Sequence, residues 1–194
     1  MTERGRSADP RAERVRARLR EAAFAMAHEQ PVDAITVGDL VARAQVSRQV
    51  FYRHFRDRDD AVSYAFTQAF ADVAAGRPSD PRTRITDLFA FAADHRAMYR
   101  NIVPSTVTQH VVAEFRAALL PACEEIADQG MAVVATIAPL SADAVTRFLV
   151  GGLMEVLRSW MEDPDATDLA ARVQAALDTI DALLGISPAH RKDP

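Results

Sequence analysis

The sequence predicts an all-α protein, with an N-terminal three-helix domain built around a helix-turn-helix and a helical bundle behind it. Three observations carry that reading. Clusters of β-branched residues such as Thr106-Val107-Thr108 and Val133-Val134 are short. No two-residue hairpin turn of the Asn-Gly kind occurs. Short polar residues that satisfy orphan amides at helix starts, and glycines or prolines that end helices, recur at helical intervals along the chain.

Taken in order, these signals predict helices over residues 10–29, 37–44, 47–55, 58–75, 81–94, 105–129, 142–162 and 166–184, with a short one near 96–101. The starts are marked by Asp9 before Pro10, Thr36 with Asp39, Ser47, Asp57 with Asp60, Asp80 before Pro81, Ser141, and Asp165 with Asp168. The stops are Gly76, Gly130, Pro164 and Gly185, and Pro121 strains the sixth long helix. Gly76-Arg77-Pro78-Ser79-Asp80-Pro81 is a break in the pattern.

Composition narrows the class further. At 194 residues and 49% hydrophobic content the chain is long and apolar enough for a packed core, which excludes a disordered protein. No apolar run reaches the roughly 18 residues of a membrane span. The single cysteine, Cys123, makes no internal disulfide, and the arginine-rich start lacks the apolar stretch of a secretory signal, so a cytoplasmic protein is expected. The net charge is −4, yet residues 1–60 hold twelve arginines against ten acidic residues. The basic part is therefore N-terminal, and the expected domains are residues 1–60 and 61–194.

The most informative segment runs from Thr36 to Phe55: two short helices joined by a tight turn, the second opened by Ser47. Leu40, Val41, Ala44 and Val46 supply apolar contacts for the first helix and turn. Phe51 and Phe55, at i and i+4, anchor the second. On a helical wheel Gln49 and Arg53 lie opposite those phenylalanines, with Tyr52 and Arg48 at the boundary between the two faces. An α-helix fits the major groove of DNA, where arginine pairs with guanine, glutamine with adenine, and an apolar group such as Val50 touches a thymine methyl. By face and charge alone, the same helix also reads as a solvated amphipathic helix of any bundle.

Residues Val15 to Val62 resemble the DNA-binding domain of the TetR family of bacterial transcriptional regulators. The matching elements are Glu29-Gln30-Pro31, Thr36-Val37, Ala44-Gln45-Val46-Ser47, Tyr52-Arg53-His54-Phe55 and Arg58-Asp59. The resemblance implies that Thr36, Tyr52, His54 and Arg58 bind phosphates. It also implies that Arg48, Gln49 and Arg53 face bases; Val50, by its apolar contact, and Ser47, at the start of the helix, complete the candidate DNA contacts. Such phosphate contacts fix register and carry no sequence information. Three departures stand out: Pro31 for the usual glycine, Gln45 for the turn glycine, and Arg58 for the usual lysine. Gln45 then has to adopt a turn conformation that glycine takes more easily.

The rest of the chain resembles the regulatory domains of that family more loosely, through His95–Arg100 and Phe148–Trp160. This implies a homodimer whose C-terminal domain binds a small molecule, and a repressor released from a palindromic operator. Apolar stripes on 142–162 (Leu149, Leu153, Val156, Leu157, Trp160) and 166–184 (Leu169, Val173, Ala176, Leu177, Ile180, Leu183, Leu184) need partners. Those partners are either the chain's own core or a second copy. Gly151-Gly152 costs mid-helix stability, roughly 1 kcal/mol per glycine, which close approach of a partner helix or a ligand would offset.

Candidate lining for a largely apolar effector is Phe66, Phe70, Phe89, His95, Tyr99, Phe115, Met154 and Trp160, with Phe91 and Met98 nearby in sequence. Each also reads as ordinary core. No metal-ligand spacing, phosphate loop, dinucleotide fingerprint or nucleophile motif occurs, so neither a cofactor, a metal nor catalysis is expected. The expectation is a DNA-binding regulator answering to a small apolar molecule. The alternative is one controlled by a protein partner, with no small-molecule effector.

Overall fold

The computed structural model describes residues 10–75 and 80–186. Among them the α-helices are α1 (Pro10–Glu29), α2 (Val37–Arg43), α3 (Arg48–Phe51), α4 (Arg58–Ala74), α5 (Pro81–Asp94), α6 (Arg96–Ile102), α7 (Val107–Ile137), α8 (Ala142–Glu162) and α9 (Leu169–Leu184), with no strand between them. The chain divides into two compact units, Met1–Ala69 with Ala97–Val112, and Phe70–Arg96 with Ala113–Pro194. The first reaches past residue 60, where the charge pattern drew the boundary, and takes in a segment from the second part of the sequence.

In the first unit, Leu19, Ala23 and Ala27 of α1 are buried together with Val32, Leu40, Phe51, Ala61 and Val62. Burying these side chains supplies the main favourable term for a small helical domain. The entry to α2 is closed by a reciprocal cap: the Asp39 amide donates to Thr36 Oγ1 at 3.2 Å, and the Thr36 amide donates to Asp39 Oδ2 at 2.9 Å. At the other end of α2, the Arg43 guanidinium grips Glu29, with Nη2 donating to Oε1 at 2.6 Å. A short 3-10 turn over Val32–Ala34, which the sequence pattern did not anticipate, connects α1 to α2.

The second unit is built on α5, α8, α9 and the greater part of α7. Asp80 caps α5 by accepting from the amides of Arg82 (3.0 Å) and Thr83 (3.1 Å), and Pro81 sits in the first turn. Arg82 ties α5 to α9 through Asp178 at 2.7 Å and through the buried carboxylate of Asp181. Phe70, Phe89, Phe91 and Phe115 pack edge to face, with ring centroids 5.5 to 5.6 Å apart. Burial pushes the Cys123 thiol up to about 12, with the Glu124 charge adding to it, so that thiol stays protonated and inert.

Several helix boundaries differ from expectation, among them the start of α7, at Val107 rather than residue 105. The second helix of the helix-turn-helix stops at Phe51. Its last residues form a tighter turn, in which the Arg53 and His54 amides reach back only to Val50 O (3.2 Å) and Phe51 O (2.9 Å). α6 runs to Ile102. α7 does not stop at Gly130 but continues through Pro121 and Gly130 to Ile137. Gly130 is a close-approach residue: a Cβ there would lie 2.8 Å from Leu184 Cβ. α9 starts at Leu169, because the Asp165 amide turns to Asp163 Oδ1 (3.1 Å) and Asp168 offers no side-chain cap to the helix. Gly185, at φ 64°, does end α9 as expected. The cap expected at Asp9 and the stop at Gly76 lie outside the described residues.

Candidate nucleic-acid interface

The reading surface begins at the turn between α2 and α3. Gln45, standing where glycine is usual, has φ 52° and is the only described non-glycine residue in the left-handed region. The chain bends there, and the Val46 amide closes back on Val41 O at 3.0 Å. Ser47 follows as the cap of α3, accepting from the Val50 amide at 3.2 Å and keeping its hydroxyl proton available for an outside acceptor.

From that start α3 and the turn that follows it sort their side chains between core and surface. Phe51 and Phe55 are buried, with ring centroids 5.8 Å apart. Arg48, Gln49, Tyr52 and Arg53 are exposed, and Val50 and His54 are half-buried. Tyr52 is 58% exposed and stands edge-on to Phe51, a large aromatic that a monomeric core would have covered. Arg48 extends along the start of α2, its Nη2 3.2 Å from where a Gly38 Cβ would lie. A side chain at residue 38 would press on that guanidinium and shift it by a few tenths of an ångström.

Two candidate phosphate ligands are occupied in this state. The Thr36 hydroxyl donates to Asp39 Oδ2 at 2.6 Å, so its proton serves the α2 cap and holds the Asp39 carboxyl below its ordinary range. Arg58, expected at a phosphate, turns inward. Its Nη1 donates to Val32 O (2.7 Å) and Ile35 O (3.4 Å), its Nη2 to Asp33 Oδ1 (3.3 Å) and its Nε to Asp59 Oδ1 (2.6 Å). Nothing in the sequence pattern signals this, because the carbonyls belong to a connection more than twenty residues earlier. A second arginine also works internally: the Arg16 guanidinium lies 4.3 Å over the Tyr64 ring.

A basic, donor-rich helix exposed at the end of a capped two-helix turn is suited to the DNA major groove. Residues 19–63 match the family model for bacterial regulatory proteins of the tetR family. Solved structures that cover 88 to 90% of this chain have the same fold. One is a TetR transcriptional regulator from Streptococcus agalactiae, 14% identical, covering 88% of this chain and 95% of its own, TM-score 0.61. Another is a tetR-family regulator from Streptomyces coelicolor, 18% identical, covering 88% and 83%, TM-score 0.59. A third is the regulator FadR from Bacillus subtilis in complex with stearoyl-CoA, 15% identical, covering 90% and 99%, TM-score 0.63. No curated protein matches the chain. The chain thus shares the all-helical fold of these regulators, and its residues 19–63 match the tetR-family model.

The candidate effector residues sit in two different places. Phe66 and Tyr99 belong to the first unit, and Phe70, Phe89, His95, Phe115, Met154 and Trp160 to the second. Phe66, Phe70, Phe89, Phe115 and Trp160 are buried, while His95, Tyr99 and Met154 are half-buried. Trp160 is stacked 4.0 Å beneath the Arg96 guanidinium, which donates to the Trp160 carbonyl at 2.8 Å and to those of Asp163 and Ala166. Arg96 thereby finishes the C-terminal end of α8, a role that the sequence pattern did not reveal.

Among the described residues no three His, Cys, Asp or Glu side chains gather to hold a metal ion. No single described helix is long and apolar enough to cross a membrane.

Proposed function

We propose that this chain is a sequence-specific transcriptional regulator, not an enzyme, that binds a palindromic operator as a homodimer in the cytoplasm and represses until a small, largely apolar effector releases it. The observation that carries the DNA reading is the sorting of α3 and the turn after it, with Phe51 and Phe55 inward and Arg48, Gln49, Tyr52 and Arg53 outward. On this reading Arg48 and Gln49 contact bases, with Arg53 and Val50 beside them. Ser47, Tyr52 and His54 hold phosphates. Thr36 shapes the entry to α2 through its cap, and reaches a phosphate only by turning its hydroxyl away from Asp39.

Support for a homodimer comes from α8 and α9. Phe148 is 75% exposed and Leu183 64% exposed, and a Cβ added to Gly151 or Gly152 would meet nothing in this chain within 4 Å. Two helices of a second copy would cover those positions, and two-fold symmetry would present two reading heads to two half-sites. Leu184, at first a candidate for that interface, is buried against Gly130 and belongs to the core.

For the effector, FadR bound to stearoyl-CoA suggests long acyl chains as the first compounds to try. The alternative, control by a protein partner, is favoured by the closed packing of Phe70, Phe89 and Phe115 on one another.

The deciding experiment selects binding sites from random duplex DNA with the full chain, then repeats the selection with Arg48→Ala and Gln49→Ala. Each variant is expected to relax one position per half-site, at a cost of about 1 to 3 kcal/mol. An unchanged site preference would remove Arg48 and Gln49 from base reading.

A further inference from the structure

Residues 101–106, from the second part of the sequence, are bonded at two points to the segment that matches the tetR-family model. Asn101 Nδ2 on α6 donates to the carbonyls of Ala27 (2.9 Å) and His28 (3.3 Å) at the end of α1. Thr106, in the turn before α7, donates from Oγ1 to Asp59 Oδ2 at 2.9 Å. The other oxygen of the same carboxylate accepts from Arg58 Nε. Arg58 in turn holds Val32 O, Ile35 O and Asp33, which make up the connection between α1 and α2. The turn that presents Thr106 is itself stiff, because the Thr108 hydroxyl bonds back to Ile102 O at 2.7 Å and Ser105 O at 2.8 Å.

We infer that Asp59 and Thr106 are positioning residues for DNA reading: through Arg58 they fix the Val32–Ile35 connection that aims α2, and Arg58 serves that connection in place of a phosphate. The chemistry fits the task. Asp59 is a bridging carboxylate, with one oxygen for the guanidinium and one for the hydroxyl, so moving Thr106 unloads Arg58. Four N–H bonds of the guanidinium are engaged, and its side chain is only 21% exposed. To reach a phosphate, Arg58 would have to give up both carbonyls of the connection, leaving Val32 O with only its bond from the Ile35 amide (3.0 Å) and taking from Ile35 O the guanidinium at 3.4 Å, a loss that unloads the connection.

This inference rests on the DNA-binding reading, and two measurements on the full chain keep the two apart. The first is affinity for the selected operator across a salt series, for Thr106→Val, Asp59→Asn and Arg58→Gln. Each is expected to weaken binding about tenfold, the scale of one hydrogen bond to a charged group, with similar salt slopes and with Thr106→Val adding little on top of Asp59→Asn. Asp59→Asn removes a negative charge, so it would tighten binding if charge alone mattered. Tighter binding by Asp59→Asn would overturn the inference. So would a salt slope reduced by about one phosphate in Arg58→Gln alone, with Thr106→Val unaffected.

The second measurement needs no DNA. Amide exchange at Ile35 to Leu40 is expected to accelerate in Thr106→Val and Asp59→Asn, and wild-type exchange there in both variants would sink the relay. If the wild-type chain selected no DNA, the proposed function would fall while exchange still decided the relay.

Discussion

Gln45 carries a backbone strain that its neighbours hold in place. A left-handed conformation costs an L-residue with a Cβ roughly 1 kcal/mol or more, and glycine almost nothing. Gln45→Gly is therefore expected to raise stability, by up to about 1 kcal/mol after the greater freedom of glycine in the unfolded chain is counted. Chemical denaturation would show the shift in midpoint. Asp39 gives a pH signature. Thr36 holds its carboxyl below the ordinary value of 3.8, so the stability it contributes is fully present above that value and is lost as pH falls through the lowered one. Amide exchange at the start of α2 is expected to rise below about pH 4 in the wild type and to be already fast in Asp39→Asn. The turn at Gln45 was legible because helix-turn-helix spacing is local. The inward turn of Arg58 was not, because backbone carbonyls of a distant connection leave no trace in residue type.

At the scale of helices, patterning located most elements because caps are local chemistry: Thr36, Ser47, Asp57, Asp80 and Ser141 each accept from an amide two or three residues on. It failed where a glycine served packing. Gly130 reads as a stop in sequence, yet its missing side chain is what admits Leu184 of α9 against α7. Gly130→Ala gains helix propensity of about 1 kcal/mol, but places a carbon 2.8 Å from Leu184 Cβ, which only a helix shift relieves. Overpacking of this kind costs about 1 to 3 kcal/mol. The net expectation is a lower Tm, whereas Ala at exposed Gly152 is expected to raise the Tm of the monomeric form.

At the scale of the whole molecule, the proposed homodimer is expected to come apart when charge replaces the exposed apolar residues of α8 and α9. Phe148→Glu with Leu183→Glu should sediment as a folded monomer at concentrations where wild type is a dimer, because a carboxylate enclosed in an apolar interface costs several kcal/mol. Persistence of the dimer would place the interface elsewhere. The Arg96 clamp on Trp160 has a spectroscopic consequence. Trp160 is the chain's one tryptophan and belongs to the second compact unit. Indole emission in a denaturation series then tracks that unit, whereas far-ultraviolet dichroism weighs helices from both. If the units melt separately, the two optical transitions will diverge, and the gap between their midpoints measures how far the first unit can unfold while its companion stays intact.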